Sequence, residues 1–479
     1  MVTGTVRMRL KALPRPEPRR ILGFPQTAAE RRPLGARGGA VSDTDLLSLL
    51  VALSVLLLSV HALGTLAERL RQPRMTGELG GGLILGPTVL GALAPQAHGA
   101  LFPDTGPVAT AFGAIEHLGM LMLMFLAGAE VRRLLPRENR RVTAWIVVLG
   151  LAVPFGVGLA ALQVVDLGGL AGPAADPVAL SLVVASAIAV TSIPVISRIM
   201  LDLGILGTSF GGVVLASAVA EDVVLYVVIA VALGLAHAHG DGLTGLPGLL
   251  GIDSVPAMSA YYVLTTVALF VCMLTVVPRL AAAALHRAGK RSGGRAHTPG
   301  AAGVTGVLLV VVCAAGASLL GVQPMFGAFL AGVLAARIEE ASGAAIAGEL
   351  RAFALAFFIP LYFGSIGLGL DLGRDLLLGF TVLFIALACA VKLASVYAGA
   401  RLGGEAPGGA LNLAFAMNAR GGPGIALAWL AYEAGIVNAQ LFTTLIVLAV
   451  VTSVMAGAWL RRVLARGRPL RETSRTAGP

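Results

Sequence analysis

Ala216-Ser217-Ala218-Val219-Ala220-Glu221-Asp222-Val223-Val224-Leu225-Tyr226-Val227-Val228-Ile229 is apolar enough to cross a bilayer, except for two adjacent carboxylates. Runs of about 20 apolar residues span the hydrocarbon as helices. A charge near the bilayer centre costs about 2.5 to 3.5 kcal/mol on insertion scales, so Glu221 and Asp222 read as a cation or proton site. The competing reading is structural, with one acid pairing a buried base and holding helices together.

The chain around this stretch has the same character. It is 57% hydrophobic and 13% charged, with a mean hydropathy of +0.88, whereas soluble domains carry about 25% charge. The apolar runs do not alternate as strands do, so the expected fold class is an all-α polytopic membrane protein and not a β-barrel. The 62 glycines suit helices packed through small side chains. Cys272, Cys313 and Cys389 sit in separate apolar runs without metal or disulfide spacing and read as buried thiols. No phosphate cradle, zinc spacing or catalytic triad stands out, so neither an enzyme nor a cofactor is expected. An intramembrane aspartyl protease needs two carboxylates meeting across a gap. Neighbours on one helix instead point about 100° apart.

Hydropathy gives about thirteen spans, at 45–66, 76–95, 109–131, 142–163, 177–201, 208–235, 257–283, 301–320, 322–337, 351–371, 376–400, 408–432 and 440–463. Lys and Arg gather at 69–74, 132–141, 279–295 and 461–475, while the opposite loops offer Arg374. Positive residues stay inside, which puts the C-terminus in the cytoplasm of a multi-pass plasma or inner membrane protein. Residues 1–43 form a basic, proline-rich tail that resists translocation. Either the true start lies near Val41, the preferred reading, or the tail stays inside and the first span is reoriented. The net charge of +10 reflects this bias and the tail, and implies no nucleic-acid partner.

The membrane domain, 44–465, divides into repeat one (45–235), a linker helix (257–283) and repeat two (301–463), followed by a short cytoplasmic tail at 466–479. Equivalent spans lie an odd number apart, so the repeats are expected to be inverted, with discontinuous helices at the midplane. The fifth span carries Thr191-Ser192-Ile193-Pro194-Val195, and the twelfth carries Asn418-Ala419-Arg420-Gly421-Gly422-Pro423-Gly424. Proline removes a backbone donor and glycine lets the chain unwind. One proline in a membrane helix is weak evidence, as Pro154 in the fourth span illustrates. Polar, proline-containing breaks at corresponding places are stronger. Lys392 lies mid-span, so that it either needs an acidic partner, for which Glu221 or Asp222 is the natural choice, or must lose its proton; the competing reading is snorkelling to an interface. Arg420 can either satisfy exposed carbonyls of its break or act in gating. Glu78, Glu116, His117 and Glu433 fall near span ends and read as caps or groups facing interfacial water.

These pieces, together with Gln72-Pro73-Arg74-Met75-Thr76-Gly77-Glu78 leading to Gly86-Pro87, and with Leu123-Met124-Phe125-Leu126-Ala127-Gly128-Ala129-Glu130, resemble the monovalent cation:proton antiporter superfamily. The likeness is to its second branch of Kef-type and Nap-type exchangers, and it covers residues 45–463. The resemblance implies two inverted six-helix repeats with crossed discontinuous helices, a homodimer in membrane lipid, and a core that moves like an elevator. It also implies that Asp222 exchanges a monovalent cation (Na⁺ or K⁺) for H⁺, with Thr191, Ser192 and neighbouring carbonyls as oxygen ligands. Glu221 departs from the Asp, Asn or Gln usual there but keeps the charge, which makes it the expected partner of Lys392. Pro194, Asn418, Arg420, Gly421 and Pro423 match the broken-helix and gating positions. The alternative on the same scaffold is a proton-coupled exporter of a small organic or ionophore-like metabolite.

The chemistry follows independently. Burial favours a protonated carboxylate and a nearby cation favours an ionised one, so proton and cation compete for the same oxygens. Carboxylate, hydroxyl and carbonyl oxygens suit hard alkali ions.

Overall fold

The computed structural model describes residues 42–70, 72–133, 140–164, 168–173, 177–237, scattered positions between 246 and 272, 301–342 and 346–471. The basic segment 1–41, most of the 257–283 span and the tail beyond Arg471 lie outside the described residues. Regular structure among the described residues is helical apart from one bridge, Ala171 to Val437. Eight of these helices are long and apolar enough to cross a membrane.

In chain order the helices are α1 (Asp43–Arg69), α2 (Arg74–Leu85), α3 (Pro95–Leu101), α4 (Pro107–Arg133), α5 (Arg140–Val164), α6 (Pro177–Ala189), α7 (Ile193–Asp202) and α8 (Ser209–His237). They continue with α9 (Ala301–Leu319), α10 (Pro324–Ser342), α11 (Ile346–Phe353), α12 (Ile359–Leu368), α13 (Leu378–Leu402), α14 (Pro407–Met417), α15 (Gly422–Glu433) and α16 (Ala439–Ala465). Local chemistry sets several of these ends. Ser42 and Asp45 form a reciprocal capping box that starts α1. Asn438 caps α16 through the Leu441 N–H.

Two expected spans are less continuous than hydropathy suggests. The 76–95 span is α2 followed by a π-helical turn, Pro87–Gly91, because Gly86 adopts an extended conformation and Pro87 has no N–H to continue the ladder. The 351–371 span is α11, a π-helical turn at Ala354–Phe358, and α12. Pro360 cannot donate to the Ala356 carbonyl, and that oxygen instead accepts from His61 Nε2 at 2.9 Å.

The helices pack in two sets. In the first, α1 lies on α2, α2 on α12, α9 on α10, and α10 on α4. Glycines allow these contacts: a Cβ on Gly82 or Gly128 would run into the backbone of Gly364 or Phe329 on the facing helix. Without a hydrophobic drive between helices in lipid, such close backbone approach supplies the packing. In the second set α5 packs on α13 and α6, α13 on α14, and α6 on α8. A cavity of about 520 Å³ lies between the sets, lined by Arg74 and Glu78 of α2, Leu123 of α4, Arg198 of α7, Phe363 of α12 and Gly422 of α15.

Candidate functional site

The second set is organised around two interruptions. The helix α6 stops at Ala189, residues 190–192 are not helical, and α7 starts at Ile193 with Pro194 as its second residue. The helix α14 stops at Met417, and α15 starts at Gly422 with Pro423 second. Proline is at home in a first turn, where the N–H has no intrahelical partner, so each proline begins a new helix rather than bending an old one. The interruptions bond to each other. Ser192 N donates to Ala419 O at 2.8 Å, and Thr191 Oγ1 donates to Met417 O at 2.5 Å. Unwound backbone at membrane depth is tolerated when protein groups satisfy it in this way.

Ending α6 early exposes its last carbonyls and the negative end of its dipole. Two buried cations meet them. Arg420 Nε donates to Ala187 O at 3.1 Å, and Nη2 donates to Ile188 O at 2.6 Å. Its Nη1 holds Asn418 Oδ1 at 2.8 Å. Lys392 Nζ, from α13, donates to Ala189 O at 2.6 Å, to Gly150 O of α5 at 2.8 Å and to Glu221 Oε2 at 2.8 Å. An ammonium has three N–H groups, and each has an acceptor. The Lys392 and Glu221 side chains are both 0% exposed. Of the two roles open to Arg420, the geometry displays carbonyl capping. Gly421 fits where a side chain does not, since a Cβ there would collide with Val195 and lie 3.1 Å from Ser192 Oγ.

Asp222 is placed differently. It is 1% exposed, and neither carboxylate oxygen has a hydrogen-bond partner among the described protein groups. The hydroxyls of Ser186, Ser192 and Ser217 are also fully buried and have no partner among the described residues. Ser192 belongs to the α6–α7 interruption, and Ser217 stands one turn before Glu221 on α8. A buried anion with unmet acceptor capacity, in a region where several hydroxyl oxygens also lack partners, is suited to taking either a proton or a hard cation.

The transmembrane sodium/hydrogen exchanger family model matches residues 54–466, most of the sequence. The chain belongs to that family. Within the family's wider similarity, it is 25% identical over 419 residues to the Na(+)/H(+) antiporter NhaS4 of Synechocystis, covering 86% of this chain and 96% of that protein. It is 26% identical over 404 residues to cation/H(+) antiporter 18 of Arabidopsis thaliana, covering 83% of this chain and 47% of the relative. It is also 26% identical over 393 residues to the K(+)/H(+) antiporter 1 of Saccharomyces cerevisiae, covering 80% of this chain and 42% of the relative. The chain thus spans nearly all of the cyanobacterial protein and under half of the plant and yeast ones. Its fold is that of the sodium proton antiporter MjNhaP1 of Methanocaldococcus jannaschii, with a TM-score of 0.59 at 14% identity, covering 88% of this chain and 97% of the other.

Several groups of this exchanger-family chain escaped sequence reasoning. Ser186 and Ser217 carry no motif, and only their burial without a partner among the described residues marks them. Pro154 was read as uninformative, yet the carbonyl four residues before it is a ligand of Lys392. Glu78, expected at an interface, is 4% exposed and is held by Arg74 Nε at 2.9 Å on the cavity wall. His117 and Glu433 do meet solvent, 3.4 Å apart, and tie α4 to α15. The three cysteines are free thiols, and Cys272 is exposed rather than buried.

Proposed function

We propose that the chain exchanges a monovalent cation, Na⁺ or K⁺, for H⁺ across a plasma or inner membrane by alternating access, with Asp222 as the exchanging group. The observation that carries this reading is a fully buried aspartate without a protein partner beside an ion-paired neighbour. When Asp222 is ionised and empty, an uncompensated charge sits at membrane depth, which opposes movement of the core. A proton or an alkali ion neutralises it, and either one licenses the crossing. Coupling follows, because one carboxylate cannot hold both. Thr191, Ser192 and the interruption's carbonyls supply further oxygens. Glu221 and Lys392 neutralise one another and leave Asp222 to carry the changing charge.

The same reading takes the chain as about thirteen spans in two inverted repeats, within a homodimer whose C-terminus is cytoplasmic. Matching pairs support the repeat: α1 on α2 resembles α9 on α10, α2 on α12 resembles α10 on α4, and α5 on α6 resembles α13 on α14. The first packing set then serves as the scaffold and the second as the moving core, with the cavity as the open approach on one side. The Na⁺ and K⁺ readings both draw on relatives that bear those names.

The test is dissipation of a preset pH gradient in everted vesicles on adding Na⁺, K⁺, Li⁺ or Rb⁺. At least one ion is expected to discharge the gradient. Where one proton competes with one cation, the half-saturating cation concentration rises up to about tenfold per unit of acidification. If reconstituted protein responds to none of these ions, cation exchange is ruled out and the metabolite-exporter alternative gains.

A further inference from the structure

Pro154 lies inside α5, where an ordinary residue would donate its N–H to the carbonyl of Gly150, four residues earlier. Proline has no N–H to give, so that oxygen is left without its ladder partner. Lys392 Nζ fills the gap at 2.8 Å. Glycine at position 150 leaves room for the approach: a Cβ there would lie 3.0 Å from both Glu221 Oε1 and Val396 Cγ2, and 3.8 Å from Nζ.

The pattern recurs in this molecule. Pro360 frees Ala356 O, which accepts from His61 Nε2 at 2.9 Å. In both cases an acceptor four residues before a proline bonds to a donor from a distant segment. At Gly150 that donor is the cation paired with Glu221.

We propose that Pro154 is a positioning residue of the exchange site: by withholding an N–H it reserves the Gly150 carbonyl for Lys392 and thereby fixes the lysine against Glu221. This rests on the exchange reading above, because it concerns how the fixed charge pair beside Asp222 is kept in place. Lys392 needs three acceptors, and Glu221, Ala189 and Gly150 supply one each. An alanine at 154 brings back a competing donor for the third.

The experiment separates the missing N–H from the proline ring. In P154A the N–H returns and the ring is lost. With the α-hydroxy acid analogue of alanine at position 154, introduced by nonsense suppression, the ring is also lost but no N–H returns. P154A is expected to lower exchange about tenfold at the wild-type optimum, the size of one weakened hydrogen bond to a charged group, and to displace the pH profile by about one unit. The α-hydroxy protein is expected to keep the wild-type profile. If the α-hydroxy protein behaves like P154A, or P154A behaves like wild type, the proposal is overturned. A readout independent of transport comes from melting temperatures. P154A should lower the melting temperature of the wild type more than that of the K392M/E221Q background, where the lysine is absent. Equal shifts in the two backgrounds contradict the proposal. Failure of cation exchange itself would appear instead in unaltered protein, with this melting comparison still standing.

Discussion

Glu221 and Asp222 are neighbours in sequence and equally buried, yet their surroundings differ in kind. On the Glu221 side Oε2 accepts from a lysine at 2.8 Å that is itself held by two backbone carbonyls, while Oε1 has no hydrogen-bond partner among the described residues. Among the described residues, the Asp222 side offers no protein donor to either oxygen. Adjacent residues on a helix diverge by about 100°, so one turn of α8 can present a fixed charge pair in one direction and an open acceptor in another. Burial alone does not mark an exchanging group. The contrast lies in whether the protein already supplies a hydrogen-bonded counter-charge.

The largest expected effect comes from the open side. Asp222→Asn removes the exchangeable charge and should cut cation-driven proton flux by more than about a hundredfold, while the protein stays folded because no buried anion remains to be satisfied. Vesicle flux and size-exclusion profile read the two parts. On the ion-paired side the effect is on stability first. Lys392→Met leaves Glu221 as an uncompensated buried charge and should cost about 3 to 5 kcal/mol, and adding Glu221→Gln should recover most of it. Chemical denaturation of the single and double variants measures this, and an absence of recovery would mean the pair is not the unit described.

Smaller effects sharpen the comparison at the two interruptions. Arg420→Lys keeps the charge but cannot reach the Ala187 and Ile188 carbonyls with a planar fork. A destabilisation of about 2 kcal/mol is expected by the same denaturation measurement, with exchange reduced rather than lost. Gly421→Ala pushes a methyl group against Val195 and Ser192. Overpacking of this kind costs about 1 to 3 kcal/mol, seen as a lower melting temperature, and slows exchange several-fold if the interruption shifts.

Much of this arrangement was legible in the sequence, because membrane burial makes polar residues conspicuous. Asp222, Lys392 and Arg420 stand out against apolar runs, and the two proline-bearing breaks stand out as departures from helix-forming sequence. Hydropathy placed α1, α4, α5, α8, α9, α13 and α16 to within a few residues. It could not see the π-helical turns after Gly86 and Phe353, since average hydrophobicity ignores how a proline redirects individual carbonyls. The same blindness hid Pro154, whose consequence appears at Gly150 and depends on a lysine from a helix far along the chain. Ser186 and Ser217 were invisible because a buried hydroxyl without a partner looks, in sequence, like any serine in a helix.

The central claim is that Asp222 exchanges and Glu221 does not. Uptake of radiolabelled sodium and rubidium into proteoliposomes, driven by an imposed pH gradient, tests it most directly when wild type, D222N and E221Q are measured side by side. The account predicts no gradient-driven uptake by D222N, and continued uptake by E221Q with altered voltage dependence or reduced stability. Uptake by D222N at the wild-type rate would contradict it.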